Sequence, residues 1–175
     1  RTVARIEACQ DITDKPVGTA FDDLGLPFVN LYTEDGAVYP CGATWDKTTY
    51  DPYSIEEQVI TGTIKLDGRV IKQPAQEIKA TVKVKLEKTS DTIEIRYRMY
   101  NPDGKVEYKI DGTDALLIDY VDATSLKDYT LRGLDTIFPA LQAANVFAGR
   151  EETGYTLDSW YLTRDISDYS FKDKI

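Results

Sequence analysis

Residues 77–100 read EIKATVKVKLEKTSDTIEIRYRMY, and their alternation of apolar and polar side chains decides the fold class. Successive side chains of a β-strand point to opposite faces of its sheet, so a two-residue period predicts a strand with one core face and one solvent face. The first predicted strand places Ile78, Ala80, Val82, Val84 and Leu86 inward, and the second places Ile93, Ile95, Tyr97 and Met99 inward.

A third strand is predicted after the turn Asn101-Pro102-Asp103-Gly104. Proline presets φ at the second position of a turn, and glycine accepts the left-handed conformation that a bulged hairpin needs. Val106, Tyr108 and Ile110 then continue the alternation. Residues 77–110 are therefore predicted to form an antiparallel meander.

Weaker patterns predict more strands upstream. Glu34-Asp35-Gly36 and Asp67-Gly68 each separate two short apolar runs, which is typical of tight hairpins. Gly62 lies within one of these runs and indicates a bulge. The predicted strands are residues 2–9, 28–33, 37–39, 59–66 and 70–72.

The C-terminal part mixes strand and helix signals. Residues 115–121 are almost all apolar, which predicts a buried strand. A Ser-x-x-Asp run predicts that a helix begins at Ser125, and Pro139 should kink it. Residues 155–166 return to strand character. The fold class is thus mainly β: a single antiparallel β-barrel or β-sandwich domain over residues 1–166, with one kinked C-terminal helical region followed by a last strand, and a polar tail over residues 167–175.

Composition excludes several functions. The 175 residues carry a net charge of −9, which disfavours nucleic acid as a partner. The chain has no histidine, so Ser-His-Asp and Cys-His catalysis are impossible. Two kinds of catalysis remain possible without histidine: glycoside hydrolysis by a pair of carboxylates, and steering of a reactive substrate in a pocket. The chain has 30 acidic residues, and the sequence does not identify which two would form such a pair. We therefore predict no catalytic residue, no cofactor, no metal site and no membrane span.

The cations are unevenly distributed along the chain. Residues 77–109 hold eight cations and six anions, a net charge of +2, whereas the remaining residues carry −11. Oppositely charged patches favour self-docking, although lysines also solvate an exposed sheet in any monomer. We interpret the chain as a non-enzymatic structural or interaction protein, a subunit of a larger assembly such as a virion, tail, pilus or surface layer. The candidate interaction face comprises Lys79, Lys83, Lys85, Arg96, Arg98, Lys105 and Lys109.

Two ligand-binding alternatives remain open. The order of antiparallel strands, helix and last strand resembles the lipocalin-type barrel, which implies a small apolar or aromatic ligand whose cyclisation or isomerisation the barrel could steer. The family's Gly-x-Trp signature is only approached by Gly42-Ala43-Thr44-Trp45. Inward candidates for lining such a pocket are Tyr97, Met99, Tyr108 and Trp160, which a filled core needs equally. A carbohydrate-binding module would use Trp45, Tyr50 and Tyr53 in a predicted loop over residues 44–54, unless these rings cover the core.

The two cysteines, Cys9 and Cys41, leave the compartment open. An even count permits a disulfide, which would stabilise the fold by roughly 3–4 kcal/mol. Two reduced thiols in a cytosolic protein or a virion give the same count. The sequence therefore predicts a soluble protein and allows an extracellular or virion location.

Overall fold

The computed structural model describes residues 1–100, 107–108 and 117–133, and the chain is mainly β. The first sheet is antiparallel and consists of β1 (Val3–Ile6), β2 (Val29–Thr33) and β3 (Val38–Cys41), in that order. The second sheet, also antiparallel, consists of β4 (Ala43–Trp45), β5 (Gln58–Ile64) and β6 (Lys79–Val84). Two smaller sheets pair β7 (Thr92–Tyr97) with β10 (Leu117–Asp122), and β8 (Met99–Tyr100) with β9 (Glu107–Tyr108).

The chain divides into two compact units, Arg1–Glu94 with Asp119–Lys127 and Ile95–Ile118 with Asp128–Ile175. The first unit contains both three-stranded sheets, and the second contains the β8–β9 pair. No closed barrel occurs among the described residues. The predicted turn at 101–104, the helix beyond residue 133, the last strand at 155–166 and the tail at 167–175 lie outside the described residues.

Strand β6 has the predicted two-sided character. Ala80, Val82 and Val84 are buried, and Lys79 and Lys83 between and beside them are exposed. Burying a side chain of valine size stabilises the fold by roughly 1.5–3 kcal/mol, so the apolar residues fix which side of the strand faces the core. The outward orientation of the lysines follows from this alternation, as the sequence predicts.

Two clusters of buried apolar residues form the core of the first unit. The first core cluster comprises Val17, Leu24, Ile60, Val82, Val84 and Leu86. The second core cluster comprises Val29, Leu31, Cys41, Ile64, Ile71 and Ala80. Trp45 and Cys9 pack against both clusters, so these two side chains join the two halves of the core.

The first and second sheets share a run of chain. Strand β3 ends at Cys41 and β4 begins at Ala43, with Gly42 between them. The carbonyl of Gly42 accepts a hydrogen bond from Lys65 N at 2.8 Å, just beyond β5. The predicted hairpin that leads into this run, β2–β3, is confirmed, and Gly36 in its turn has the left-handed φ of 83° that favours glycine.

The predicted pairing of the first and second strands of the central meander is wrong. Strand β6 pairs with β5, and β7 pairs with β10. The other edge of β6 is occupied by residues 12–17, which run parallel to it: Ile12 N donates to Lys83 O at 2.8 Å, and Lys85 N donates to Ile12 O at 2.9 Å. Side-chain alternation fixes the buried face of a strand but does not specify its neighbour. The predicted pairing of the second and third strands is confirmed in β8–β9, where Met99 is opposite Tyr108.

Two glycine-based predictions upstream are also wrong. The carbonyl of Asp67 accepts from Val70 N and Ile71 N at 3.0 and 2.9 Å, so the chain makes a longer turn and residues 70–72 form no strand. Gly62 sits in regular register opposite Trp45 and Ala80, without a bulge. The irregularity in register lies in β1 instead, between Val3 and Arg5.

The helix predicted from Ser125 is replaced by a short 3₁₀ turn, Ala123–Asp128, and residues 129–133 are not helical. The carboxylate of Asp122 accepts hydrogen bonds from Thr124 N and Thr124 Oγ1 at 2.8 and 2.7 Å. Asp122, rather than Ser125, therefore caps the turn at Thr124 N, and Ala123 N donates to Asp91 O at 2.8 Å. Ile93, predicted to face inward, is 37% exposed.

Candidate functional site

The outer side of β6 carries three of the predicted interaction residues. Lys79 and Lys83 project to solvent from β6, and Lys85 continues the alternation beyond its end, beside buried Leu86. We call these three residues, with Val59 on the neighbouring strand, the lysine face. Val59 is opposite Lys83 in the sheet register and is 52% exposed. The lysine face therefore combines three cations with one exposed apolar side chain.

One of the three lysines has an internal partner. Lys83 Nζ lies 3.0 Å from Glu57 Oε1, with both side chains about half exposed. The hydrogen bond from Lys83 to Glu57, followed by the charge of Glu57, raises the pKa of Lys83. Lys79 and Lys85 form no ion pair with any residue that the structure describes. Their charges are thus available to a partner.

An open groove of about 410 Å³ lies at the other end of the same sheet surface. We call this the polar groove, and its lining residues are Thr44, Trp45, Asp46, Lys47, Thr61, Thr63 and Lys79. The register places Thr44, Thr63 and Lys79 side by side across β4, β5 and β6. Asp46 N donates to Thr61 O at 2.9 Å, which holds the second side of the groove.

Asp46 is the acidic member of the polar groove. Its Oδ1 accepts hydrogen bonds from Thr48 N and Thr48 Oγ1 at 2.9 and 2.7 Å. These hydrogen bonds hold the pKa of Asp46 below its ordinary value, so its carboxyl group is ionised at neutral pH. The groove therefore offers one carboxylate acceptor beside two ammonium donors and three hydroxyls.

Of the other four predicted interaction residues, two belong to the second unit and two lie outside the described residues. Arg96 and Arg98 belong to the second unit. The guanidinium of Arg98 lies 5.5 Å from the ring centroid of Tyr100, a cation–π contact. Lys105 and Lys109 lie outside the described residues.

The predicted carbohydrate aromatics lie largely against the core. Trp45 belongs to β4 rather than to a loop, and Tyr50 packs on the first core cluster. Tyr50 Oη donates to the carbonyl of Thr19 at 2.6 Å, and its burial, followed by the charge of Asp51, raises the pKa of Tyr50 to about 12. Tyr53 is half-buried. These placements favour the alternative in which the rings cover the core.

The predicted pocket-lining residues are only partly described. Tyr97 is buried, and its hydroxyl contacts the hydroxyl of Tyr129 and accepts from Arg132 N at 2.9 Å. Met99 is half-buried, and only the backbone of Tyr108 is described. Trp160 lies outside the described residues. The pocket around these side chains stays a prediction.

Cys9 and Cys41 are free thiols in the structure, without a disulfide between them. Cys41 is buried at the end of β3, and Cys9 packs against both core clusters. Burial raises the pKa of both thiols, so both are protonated at neutral pH.

In the described ranges no three side chains are grouped as metal ligands, and no helix is long and apolar enough to cross a membrane.

The polar groove does not follow from any local sequence pattern. Thr61 and Thr63 alternate with buried residues of β5, which marks them as outward-facing. Thr44, Asp46 and Lys47 join them only because β4 lies beside β5, a long-range pairing that no local pattern shows.

Comparison of the chain with protein families, with curated proteins and with solved structures finds no match.

Proposed function

We propose that this chain is a non-enzymatic interaction protein, a subunit of a larger assembly such as a virion, tail, pilus or surface layer, that docks through its lysine face on an acidic surface of a second copy. The observation that supports this proposal is the exposure of Lys79 and Lys83 on β6, and of Lys85 just after it, in a chain whose net charge is −9. The residues outside 77–109 carry a net charge of −11, which attracts these lysines.

The charge distribution favours a contact between unlike surfaces. A basic face that meets an acidic face on the next copy is heterologous, and contacts of this kind build rings or filaments. Exposed charges are worth little energy individually but set the orientation of the partners. Val59, exposed beside Lys83 on the neighbouring strand, adds an apolar contact.

The internal ion pair gives the three lysines different roles. Glu57 holds Lys83 in place, so the centre of the lysine face is ordered before a partner arrives. Lys79 and Lys85 lie on either side of Lys83. Neither forms an ion pair with a described residue, so neither has to break one to bind a partner's carboxylate.

The experiment is sedimentation velocity of the full chain at low and high salt. We expect self-association that weakens as salt screens the charges. Lys79→Glu/Lys83→Glu/Lys85→Glu should abolish this association. The control, Lys65→Glu/Arg69→Glu/Lys72→Glu, changes the net charge equally at exposed positions outside the lysine face and should preserve it. A monomeric wild type at high concentration and low salt, or equal behaviour of the two variants, would contradict the proposal.

A further inference from the structure

We propose that the polar groove binds an acidic saccharide, a sugar that carries a carboxylate, such as a uronic acid. The inference goes beyond the assembly function and rests on different residues, since only Lys79 belongs to both surfaces. It depends on the chemistry of the groove lining, in which three threonine hydroxyls and the ammonium group of Lys79 lie on one side of the sheet. Asp46 and Lys47, which directly follow β4, add a carboxylate and a second ammonium group.

The hydroxyls of the groove are available to a ligand. In the described part of the chain, the side-chain oxygens of Thr44, Thr61 and Thr63 take part in no hydrogen bond. A threonine hydroxyl can both donate and accept, so it matches a sugar hydroxyl in either direction. Cross-strand neighbours such as Thr44 and Thr63 have Cβ atoms about 5 Å apart, and Thr61 and Thr63 are separated by about 7 Å along the strand. Hydroxyls at these spacings can contact different substituents of one sugar ring.

The charged residues select the class of sugar. Lys47 and Lys79 border the groove, and an ammonium group binds a carboxylate through a charge-assisted hydrogen bond. Asp46 is ionised, and only its Oδ1 is used by Thr48, which leaves Oδ2 to accept a hydrogen bond from the ligand. An acidic peptide side chain cannot donate that hydrogen bond, whereas a sugar hydroxyl can. The groove therefore fits a ligand that has hydroxyl donors and an anionic group together.

The aromatic residue of the groove lining, Trp45, does not turn its ring toward the threonines. The indole ring of Trp45 packs over Gly62 and against the core clusters, on the opposite side of the sheet from the threonines. Affinity must then come from hydrogen bonds and from the two lysines, which makes the carboxylate of the ligand essential. We expect weak, salt-dependent binding at this open site.

The experiment is an amide-shift NMR titration of the full ¹⁵N-labelled chain with a galacturonic acid tetrasaccharide. For the wild type we expect saturable shifts confined to the groove residues. Lys79→Gln should bind the tetrasaccharide about tenfold more weakly, because one charge-assisted hydrogen bond is lost. Thr63→Val should also bind it more weakly. The matched controls, Lys72→Gln and Thr13→Val at exposed positions, should bind as the wild type does. Circular dichroism of each variant verifies that it is folded.

Two further probes give the other outcomes. The methyl ester of the same tetrasaccharide, which has no charge, should fail to bind. A glutamate tetrapeptide should bind more weakly than the saccharide. Absence of saturable shifts, equal binding of the ester, or tighter binding of the peptide would each overturn the inference. Because Lys83 and Lys85 lie outside the groove, Lys83→Glu/Lys85→Glu should retain saccharide binding, which separates failure of this inference from failure of the assembly proposal.

Discussion

The replacement of Gly62 by alanine tests the central packing of the second sheet. Gly62 is buried in β5, directly between Trp45 and Ala80 on the neighbouring strands. A Cβ at this position would lie 2.5, 2.8 and 2.9 Å from Cε3, Cδ2 and Cζ3 of Trp45. Carbon atoms in contact are about 3.5–4.0 Å apart, so the added methyl group overlaps the indole ring by about 1 Å.

The indole ring cannot move aside without cost, because it packs against both core clusters. Forcing an extra methyl group into a packed core costs about 1–3 kcal/mol. The lower backbone entropy of unfolded alanine returns about 0.4–1 kcal/mol of this. We expect Gly62→Ala to lower the free energy of unfolding by about 1–2 kcal/mol and to change the fluorescence of Trp45.

Urea denaturation monitored by circular dichroism measures the effect. The control is Gly68→Ala, because a Cβ at Gly68 meets nothing within 4 Å and its φ lies outside the left-handed region. Gly68→Ala should leave stability unchanged or raise it slightly. In a Trp45→Val background, the cost of Gly62→Ala should disappear, as a double-mutant cycle would show. An unchanged midpoint for Gly62→Ala in the wild-type background would refute the packing argument.

Two more substitutions test contacts between distant parts of the chain. Tyr50→Phe removes the hydrogen bond to Thr19 O and should destabilise the fold by about 1 kcal/mol at neutral pH. The pKa of Tyr50 is raised to about 12 in the folded protein, so the wild type loses this advantage as pH rises from about 10 toward 12. The urea midpoints of the wild type and Tyr50→Phe should therefore converge over this pH range. A difference between the midpoints that stays constant with pH would contradict this. Ile12→Pro removes the N–H that donates to Lys83 O. The amide of Lys85, which donates to Ile12 O, should then exchange its hydrogen faster than it does in Ile12→Ala. Equal exchange at Lys85 in the two variants would contradict the pairing.

Local patterns predicted the features that depend on the side-chain period. The alternation in residues 78–86 correctly gave the buried and exposed sides of β6, because that period is a property of a single strand. It could not give the neighbours of β6. One of them, the stretch at Ile12 and Pro16, contains no strand pattern and is held in place by backbone hydrogen bonds to Lys83, Lys85 and Glu87.

The candidate surfaces show the same division between local and long-range information. Exposure of Lys79 and Lys83 followed directly from the alternation. The polar groove depends on the pairing of Thr44 with Thr63, which are brought together by tertiary structure. Gly62 was predicted as a bulge because glycine weakens strands, but its role is to leave room for a ring that belongs to another strand.

The run from Val38 to Trp45 supplies an edge strand to each three-stranded sheet, with only Gly42 in between. Neither sheet can therefore melt without disturbing a strand that continues into the other, and the second core cluster takes residues from both. The two sheets should behave as one cooperative folding unit. Their slowest-exchanging amides, in β2 and in β5, should then report the same free energy of opening, and damage to either sheet should lower the protection of both.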